Sequence, residues 1–189
     1  VSGWITDLAL RKALFVDRDG TLIEDVPYSE DPMAMTLLPT TIPALKKATL
    51  SGFLCIIVTN QSGIARGLMT ESGFWARQHR LLAMLLAQGI EIVDTLFCPH
   101  HPTAGVVPGY SQACDCRKPN PGMLITAIER HGIDPASSYM VGDKVSDVEA
   151  GQRAGVTGIL IEDRAAHAAC PLGTPYYPNI GQAVDAILA

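Results

Sequence analysis

The sequence has no long apolar run, no excess of basic residues and few cysteines. No stretch approaches the roughly 20 apolar residues that a bilayer-spanning helix needs, so no membrane association is expected. Val1 to Leu10 carries Asp7 and has no basic segment ahead of an apolar core, so it does not read as a secretion signal. A net charge of −5 offers no basic face for nucleic acid. It is compatible with a small anionic substrate, because local charge at a site can oppose the overall sign. Charged residues make up 17% of the chain against 48% hydrophobic ones, which excludes a disordered chain. The five cysteines are an odd number with three in one region, so metal binding in a reducing, cytoplasmic setting is expected over a disulfide framework. At 189 residues, one well-buried domain spanning 1–189 is expected, and two are not.

What is present alternates between two periods. Ala13-Leu14-Phe15-Val16 is a short, continuous apolar run of the kind that forms a buried strand, and Phe53 to Val58, Ile92 to Phe97, Tyr139 to Val141 and Thr157 to Ile161 read likewise. Between them lie helical stretches. Pro43 to Leu50 stops at Gly52. Glu71 to Gln88 is capped by Thr70, ends at Gly89 and carries Phe74, Leu81, Leu82 and Leu85 on one face. A third helix starts at Asn120-Pro121, with Pro at the first helical position, and ends before Gly132. Ser146 to Ala154 and Ile180 to Leu188 complete the set, and Asp163 to Pro178, with Cys170, has no readable pattern. Connections too long for hairpins predict an α/β fold, a Rossmann-like parallel sheet with helices on both faces.

In such sheets the ligand crevice lies at the carboxyl ends of the strands. The polar residues there are Asp17 and Asp19, Thr59 and Asn60, and Asp143. Each has a structural reading: a strand-ending turn, a helix cap, or, for Asp147, a solvated helix residue. Together they have the parts for phosphoryl transfer. Asp17 is the candidate nucleophile, forming an aspartyl-phosphate, and Asp19 the candidate acid and base. A hard divalent cation would offset the repulsion among Asp17, Asp143 and a phosphate, and oxygen ligands favour Mg²⁺. The Thr59 hydroxyl and Lys118 ammonium would stabilise the oxygens of the group in flight.

A second cluster lies in the loop at about 98–116. Cys98, His100, Cys114 and Cys116 make a set of three thiolates and one imidazole, a closed tetrahedral Zn²⁺ shell and therefore a structural site. His101 is ambiguous and is read as a surface or neighbouring group. The zinc would hold Arg117-Lys118 over the crevice.

Asp17-x-Asp19-Gly20-Thr21, Thr59, Lys118 and Gly142-Asp143-Lys144-Val145-Ser146-Asp147 resemble the four motifs of the haloacid dehalogenase superfamily. The resemblance spans about Ala13 to Ile161, with no large cap domain between the motifs. It implies Mg²⁺ held by Asp17, Asp143 and the backbone carbonyl of Asp19. Lys144 beside them either pairs with Asp17 or contributes to the metal site. Adding Thr59-Asn60-Gln61-Ser62-Gly63-Ile64-Ala65-Arg66-Gly67, Cys98-Pro99-His100-His101-Pro102 and Cys114-Asp115-Cys116-Arg117-Lys118-Pro119, the chain closely resembles the D-glycero-D-manno-heptose 1,7-bisphosphate 7-phosphatase family.

That resemblance implies an enzyme, a phosphoric monoester hydrolase. It would remove the C7 phosphate of a sugar bisphosphate in the cytoplasm, for lipopolysaccharide core or nucleotide-heptose synthesis. Substrate contacts are implied at Asp25, Val26, Pro27 and Tyr28, at Asn60, Gln61 and Ser62, and at Arg117. The guanidinium of Arg117 suits the phosphate that stays. A monomer is expected. The rival readings are a histidinol-phosphate phosphatase, whose amine Arg117 and Lys118 would repel, another small sugar-phosphate phosphatase, and a zinc-stabilised interaction module.

Overall fold

Ala13–Val16 form the first strand, β1, and all of them are buried. A strand turns successive side chains to opposite faces, so burial of every residue requires cover on both. The computed structural model, which describes residues 11–26 and 28–189, shows that cover. Leu14 and Val16 pack with α1 (Thr41–Leu50), α2 (Glu71–Leu86) and α5 (Ile180–Leu188). Ala13 and Phe15 pack on the other face with α3 (Gly122–His131) and α4 (Val145–Arg153). Burying a side chain such as Phe15 completely contributes about 1.5–3 kcal/mol. The expectations for Val1 to Leu10 and for Pro27 lie outside the described residues.

The remaining strands are β2 (Leu54–Asn60), β3 (Ile92–Cys98), β4 (Tyr139–Gly142), β5 (Thr157–Ile161) and β6 (Tyr176–Tyr177). All neighbours pair in parallel in the order β3-β2-β1-β4-β5-β6. The chain steps outward from β1 through β2 and β3, then resumes on the opposite side of β1 at β4. The order therefore reverses at β1, and the crevice opens beyond its carboxyl end.

Several local expectations shift. Pro121 occupies the cap position of α3 and is not its first helical residue: its ψ is 1°, and its carbonyl accepts the first helical bond from the Ile125 amide at 2.9 Å. The helix begins one residue later. The stretch from Asp163 to Pro178 contains a 3-10 turn, Ala166–Ala169, and the two-residue edge strand β6, too short to show a period. On α2 the buried face includes Arg77 and Gln78 with Phe74, Leu81 and Leu85, while Leu82 is only half-buried.

The irregular loop at 22–39 is tied down at several points. The Leu38 amide donates to the Leu22 carbonyl at 3.0 Å, Arg77 Nη1 to the Ser29 carbonyl at 2.8 Å, and the Thr70 hydroxyl to Glu30 at 2.8 Å. No cap domain stands among the described residues, and no described helix is long and apolar enough to cross a membrane.

Candidate active site

β1 delivers Asp17 to the crevice with its amide bonded to the Val141 carbonyl at 2.9 Å, one residue beyond the strand. Lys118 meets it there. Its Nζ lies 2.7 Å from Asp17 Oδ1, 2.6 Å from Asp147 Oδ1 and 2.8 Å from the Val58 carbonyl. An ammonium has three donors, and all three are used. Burial would lower the Lys118 pKa, but the charges of Asp147 and Asp17 outweigh it and hold it above its ordinary value. Asn60 brackets the same residue: its amide oxygen accepts from the Lys118 amide at 3.1 Å and its Nδ2 donates to the Lys118 carbonyl at 3.0 Å. Asn60 thus lines the cleft and also fixes the lysine.

Asp147 stands in the fourth motif, but sequence reasoning gave it no role of its own beyond the reading as a solvated helix residue. It is buried, not solvated. Its Oδ2 accepts from the Lys144 amide at 3.0 Å, capping α4, while Oδ1 pairs with Lys118. Burial raises its pKa, Lys118 pulls against that, and Asp17 adds to it. The available signal was its place in Gly142-Asp143-Lys144-Val145-Ser146-Asp147. A Cβ on Gly142 would lie 2.2 Å from Asp147 Oδ2, so the glycine makes room for this carboxylate.

Oxygen atoms of Asp17, Asp143 and Asp147 lie within 4.8 Å of one another. Burial, and then the Asp17 charge, push the Asp143 carboxyl up to about 7. Its Oδ1 is buried with no hydrogen-bond partner among the described residues. An orphaned buried oxygen beside two more carboxylates fits a hard divalent cation of the Mg²⁺ type. Gly20 closes the approach: its φ is +83°, and a Cβ there would come 2.6 Å from Asp143 Oδ2.

Asp19 faces elsewhere, and its side chain is not part of the acidic trio. Arg18 holds it with Nη2 at 2.8 Å and Nε at 3.1 Å, and Gln61 Nε2 donates to it at 2.8 Å. The same Gln61 nitrogen donates to the Thr59 hydroxyl at 2.9 Å. Lys144 Nζ lies 3.5 Å from Asp143 and 3.9 Å from Asp25, so among its carboxylate neighbours it sits closest to Asp143. Asp25, Val26 and Tyr28 line a cleft of about 220 Å³ together with Asn60, Gln61 and Ser62. Arg117 is not among the lining residues. Its Nη1 donates to the His100 carbonyl at 3.2 Å.

The thiol cluster assembles as the spacing predicts. Cys114 Sγ lies 3.2 Å from Cys116 Sγ and 3.5 Å from Cys98 Sγ, while His100 Nδ1 lies 3.4 Å from Cys116 and 3.8 Å from Cys98. A tetrahedral zinc with sulfurs at about 2.3 Å spaces them about 3.8 Å apart, so the donor set fits this ion. In the metal-free cluster the hydrogen bond with Cys98 pulls Cys116 down to about 5, and the same bond, with burial, pushes Cys98 up. A dication would let all three thiols ionise. His101 turns away, with Nδ1 accepting from the Ala104 amide at 2.9 Å.

Comparison with known proteins decides the family. A family model described as HAD-hydrolase-like matches residues 115–174. The chain is 42% identical over 152 residues to the D-glycero-beta-D-manno-heptose-1,7-bisphosphate 7-phosphatase of Pasteurella multocida, covering 80% of this chain and 82% of that one. The protein of the same name from Escherichia coli K12 is 38% identical over 177 residues, covering 93% and 87%. The chain belongs to the heptose-1,7-bisphosphate 7-phosphatase family of haloacid dehalogenase-like hydrolases. It is accordingly an enzyme, a phosphoric monoester hydrolase. Among solved structures, the D,D-heptose 1,7-bisphosphate phosphatase from B. bronchiseptica, complexed with magnesium and phosphate, superposes with a TM-score of 0.82 at 29% identity, covering 94% of this chain and 98% of that one. A HAD-like phosphatase from Mesorhizobium loti superposes with a TM-score of 0.83 at 40% identity, covering 94% and 86%.

Proposed function

We propose that this chain, as a single catalytic domain, removes the C7 phosphate of D-glycero-β-D-manno-heptose 1,7-bisphosphate and leaves heptose 1-phosphate. The relatives' names support the substrate and its anomer. The observation that carries the chemistry is Asp17 itself, set at the end of β1 between a buried ammonium and further carboxylates.

In this reading an Asp17 oxygen attacks phosphorus, and the sugar oxygen leaves with a proton from Asp19. Asp19 then takes a proton from water, whose oxygen displaces the phosphate from Asp17 and regenerates the carboxylate. Lys118 and the Thr59 hydroxyl offer positive charge and a hydrogen bond to the transferred oxygens, and Asp147 and Asn60 keep the lysine in place. Asp17, Asp143 and the Asp19 backbone carbonyl would hold Mg²⁺. When bound it would offset the negative charge of carboxylates and phosphate. Zn²⁺ on Cys98, His100, Cys114 and Cys116 would be structural. The contacts at Asp25 to Tyr28 and at Gln61 and Ser62 belong to the same proposal, as do a monomeric state and a cytoplasmic location. Arg117, next to Lys118 in the chain and with its Nη1 donating to the His100 carbonyl, would meet the phosphate that stays.

The test is phosphate release, with Mg²⁺ present, from both anomers of the bisphosphate and from histidinol phosphate. The β anomer should be turned over fastest, and Asp17→Asn should be inactive. Full turnover by Asp17→Asn, or equal rates on all three compounds, overturns the reading.

A further inference from the structure

Arg77 stands three residues after Phe74 and four before Leu81, on the inward face of α2, where helical periodicity calls for an apolar side chain. It is 1% exposed, and its Nε and Nη2 have no acceptor among the described residues. A buried cation with unmatched donors costs stability. Burial, and then the charge of Arg18, lower its pKa, while Asp19, Asp31 and Asp25 act the other way. Arg18 itself is committed to Asp19 through Nε and Nη2. What Arg77 holds is a backbone oxygen: its Nη1 donates to the Ser29 carbonyl at 2.8 Å.

Ser29 belongs to the acidic stretch from Glu24 to Asp31, of which Asp25, Val26 and Tyr28 line the cleft. This stretch needs anchors. Tyr28 has a φ of +54°, a left-handed conformation that costs about 1–2 kcal/mol in a residue with a Cβ. Its ring occupies the space over Gly63, where a Cβ would come 2.7 Å from Tyr28 Cδ1, and its hydroxyl accepts from Arg66 Nη1 at 3.3 Å. Glu30 sits over Gly73, where a Cβ would come 2.5 Å from its Oε1, and accepts from the Thr70 hydroxyl at 2.8 Å. Of Arg66, Thr70 and Arg77, only Arg77 is buried, so its anchor is the one shielded from water. Arg77 also sets a positive charge close to Asp25 and Asp31, which an incoming phosphate ester would repel.

We propose that Arg77 is a positioning residue for the sugar-reading stretch. It fixes Ser29, and with it Asp25 to Tyr28, against the approach of an anionic substrate, and so sets affinity for sugar phosphates without touching the transferred group. The proposal rests on the reading above of Asp25 to Tyr28 as contacts to the sugar, where the Asp25 carboxylate would accept from hydroxyls. A role exerted through Arg18 on Asp19 would slow every phosphate ester alike, and so would a general loosening of the fold. Loss of the position of this stretch affects only a substrate with a sugar for it to grip.

The experiment measures kcat and KM on heptose 1,7-bisphosphate and on p-nitrophenyl phosphate, an ester with a good leaving group and no sugar hydroxyl. Wild type, Arg77→Met, Arg77→Gln and Arg77→Lys are compared, with a thermal melt of each. Arg77→Met should lower the ratio of kcat/KM for the bisphosphate to that for the aryl phosphate by about 10-fold, as loss of a hydrogen bond from a charged donor predicts. A rise in KM should carry most of the change, with kcat on the bisphosphate moving by less than about threefold. Arg77→Lys keeps the charge and should recover part of the ratio. Arg77→Gln, polar but uncharged, should show the same fall as Arg77→Met and carries the test if that variant does not fold. An unchanged ratio, whether both activities fall together or neither falls, overturns the proposal. So does a loss on the bisphosphate that lies in kcat with KM unmoved, and this split decides alone if the aryl phosphate turns over too slowly to measure. A wild type that does not hydrolyse the bisphosphate overturns the substrate reading itself, a failure seen before any variant is made.

Discussion

At the strand ends, Asp17, Asp143 and Asp147 come within 4.8 Å of one another just past β1, on the turn after β4 and on the first turn of α4, with a buried lysine among them. In the loop from Cys98 to Cys116, three thiols and an imidazole reach the same mutual distance on a segment whose residues 101–113 are all half-buried or exposed. Like charge is gathered in both places. In the crevice, parallel strands fix the backbone and Lys118 offsets part of the repulsion. In the loop, the anchors besides the thiol cluster are few: Tyr110 packs beside Ile64, Met69 and Phe74, and the Val106 and Val107 amides bond the Ala65 carbonyl, so a bound ion would supply the main cross-link. The difference teaches that the crevice should keep its shape when its chemistry is removed, whereas the loop should lose both together.

The sharpest test of that contrast is Asp17→Asn, which keeps an oxygen for Lys118 but removes the proposed nucleophile. Turnover should fall by at least about 10⁴-fold, while the melting temperature moves by less than about 5 °C. Unfolding of this variant would break the comparison. Lys118→Met goes further, since it strands Asp17 and Asp147 without their cation. Breaking a buried pair in this way costs about 3–5 kcal/mol, read as a shift in denaturant midpoint, and activity should be lost as well.

Zinc removal probes the other region. An ion bridging Cys98 and Cys116 closes a stretch for which a cross-link contributes about 3 kcal/mol. Cys114→Ser should lose stoichiometric zinc, melt about 6–12 °C lower, and become cleavable by protease within 101–113. If it stays as resistant as wild type, the loop has a scaffold of its own.

The pH dependence separates the sites more finely. Asp143 has its pKa raised to about 7 in the metal-free protein, so the folded state holds that proton more tightly than the unfolded chain does. Stability of the metal-free protein should therefore fall as pH rises from about 4 to about 7, the window between the two pKa values. Mg²⁺ affinity should rise over the upper part of that window, with up to one proton released per ion, measurable by calorimetry in two buffers. A Mg²⁺ affinity that is flat between pH 6 and 8 would contradict this. The smallest effect belongs outside both regions. Asp94 accepts from Arg130 and His131 at 2.8 Å each, and Asp94→Asn should cost less than about 1 kcal/mol.

Much of the fold was legible because burial on both faces leaves continuous apolar runs. Ala13–Val16, Thr157–Ile161 and Ile180–Leu188 have the bounds that their patterns predict. β6 was not legible, because two residues at a sheet edge carry no period. In the candidate site, the chemistry-bearing side chains were legible as types at strand ends. Asp147 was misjudged because a carboxylate in a first helical turn is usually solvated and favoured by the helix dipole. Only the approach of Lys118 from a distant loop makes its burial tolerable. Arg77 escaped for the opposite reason: the helix face was read from its apolar members, and a buried cation on it has no one-dimensional signature.

The sequence by itself determined the alternation of strand and helix, the strand-end acids and the two tight pairs Cys98/His100 and Cys114/Cys116, since each depends on neighbours a few residues apart. Tertiary structure alone decided which charges are compensated. Lys118 with Asp17 and Asp147, Gln61 on Asp19, and the Arg77 donors that have no acceptor among the described residues all depend on segments far apart in the chain. In a buried site, the few ångströms between such groups set the energy of every charge.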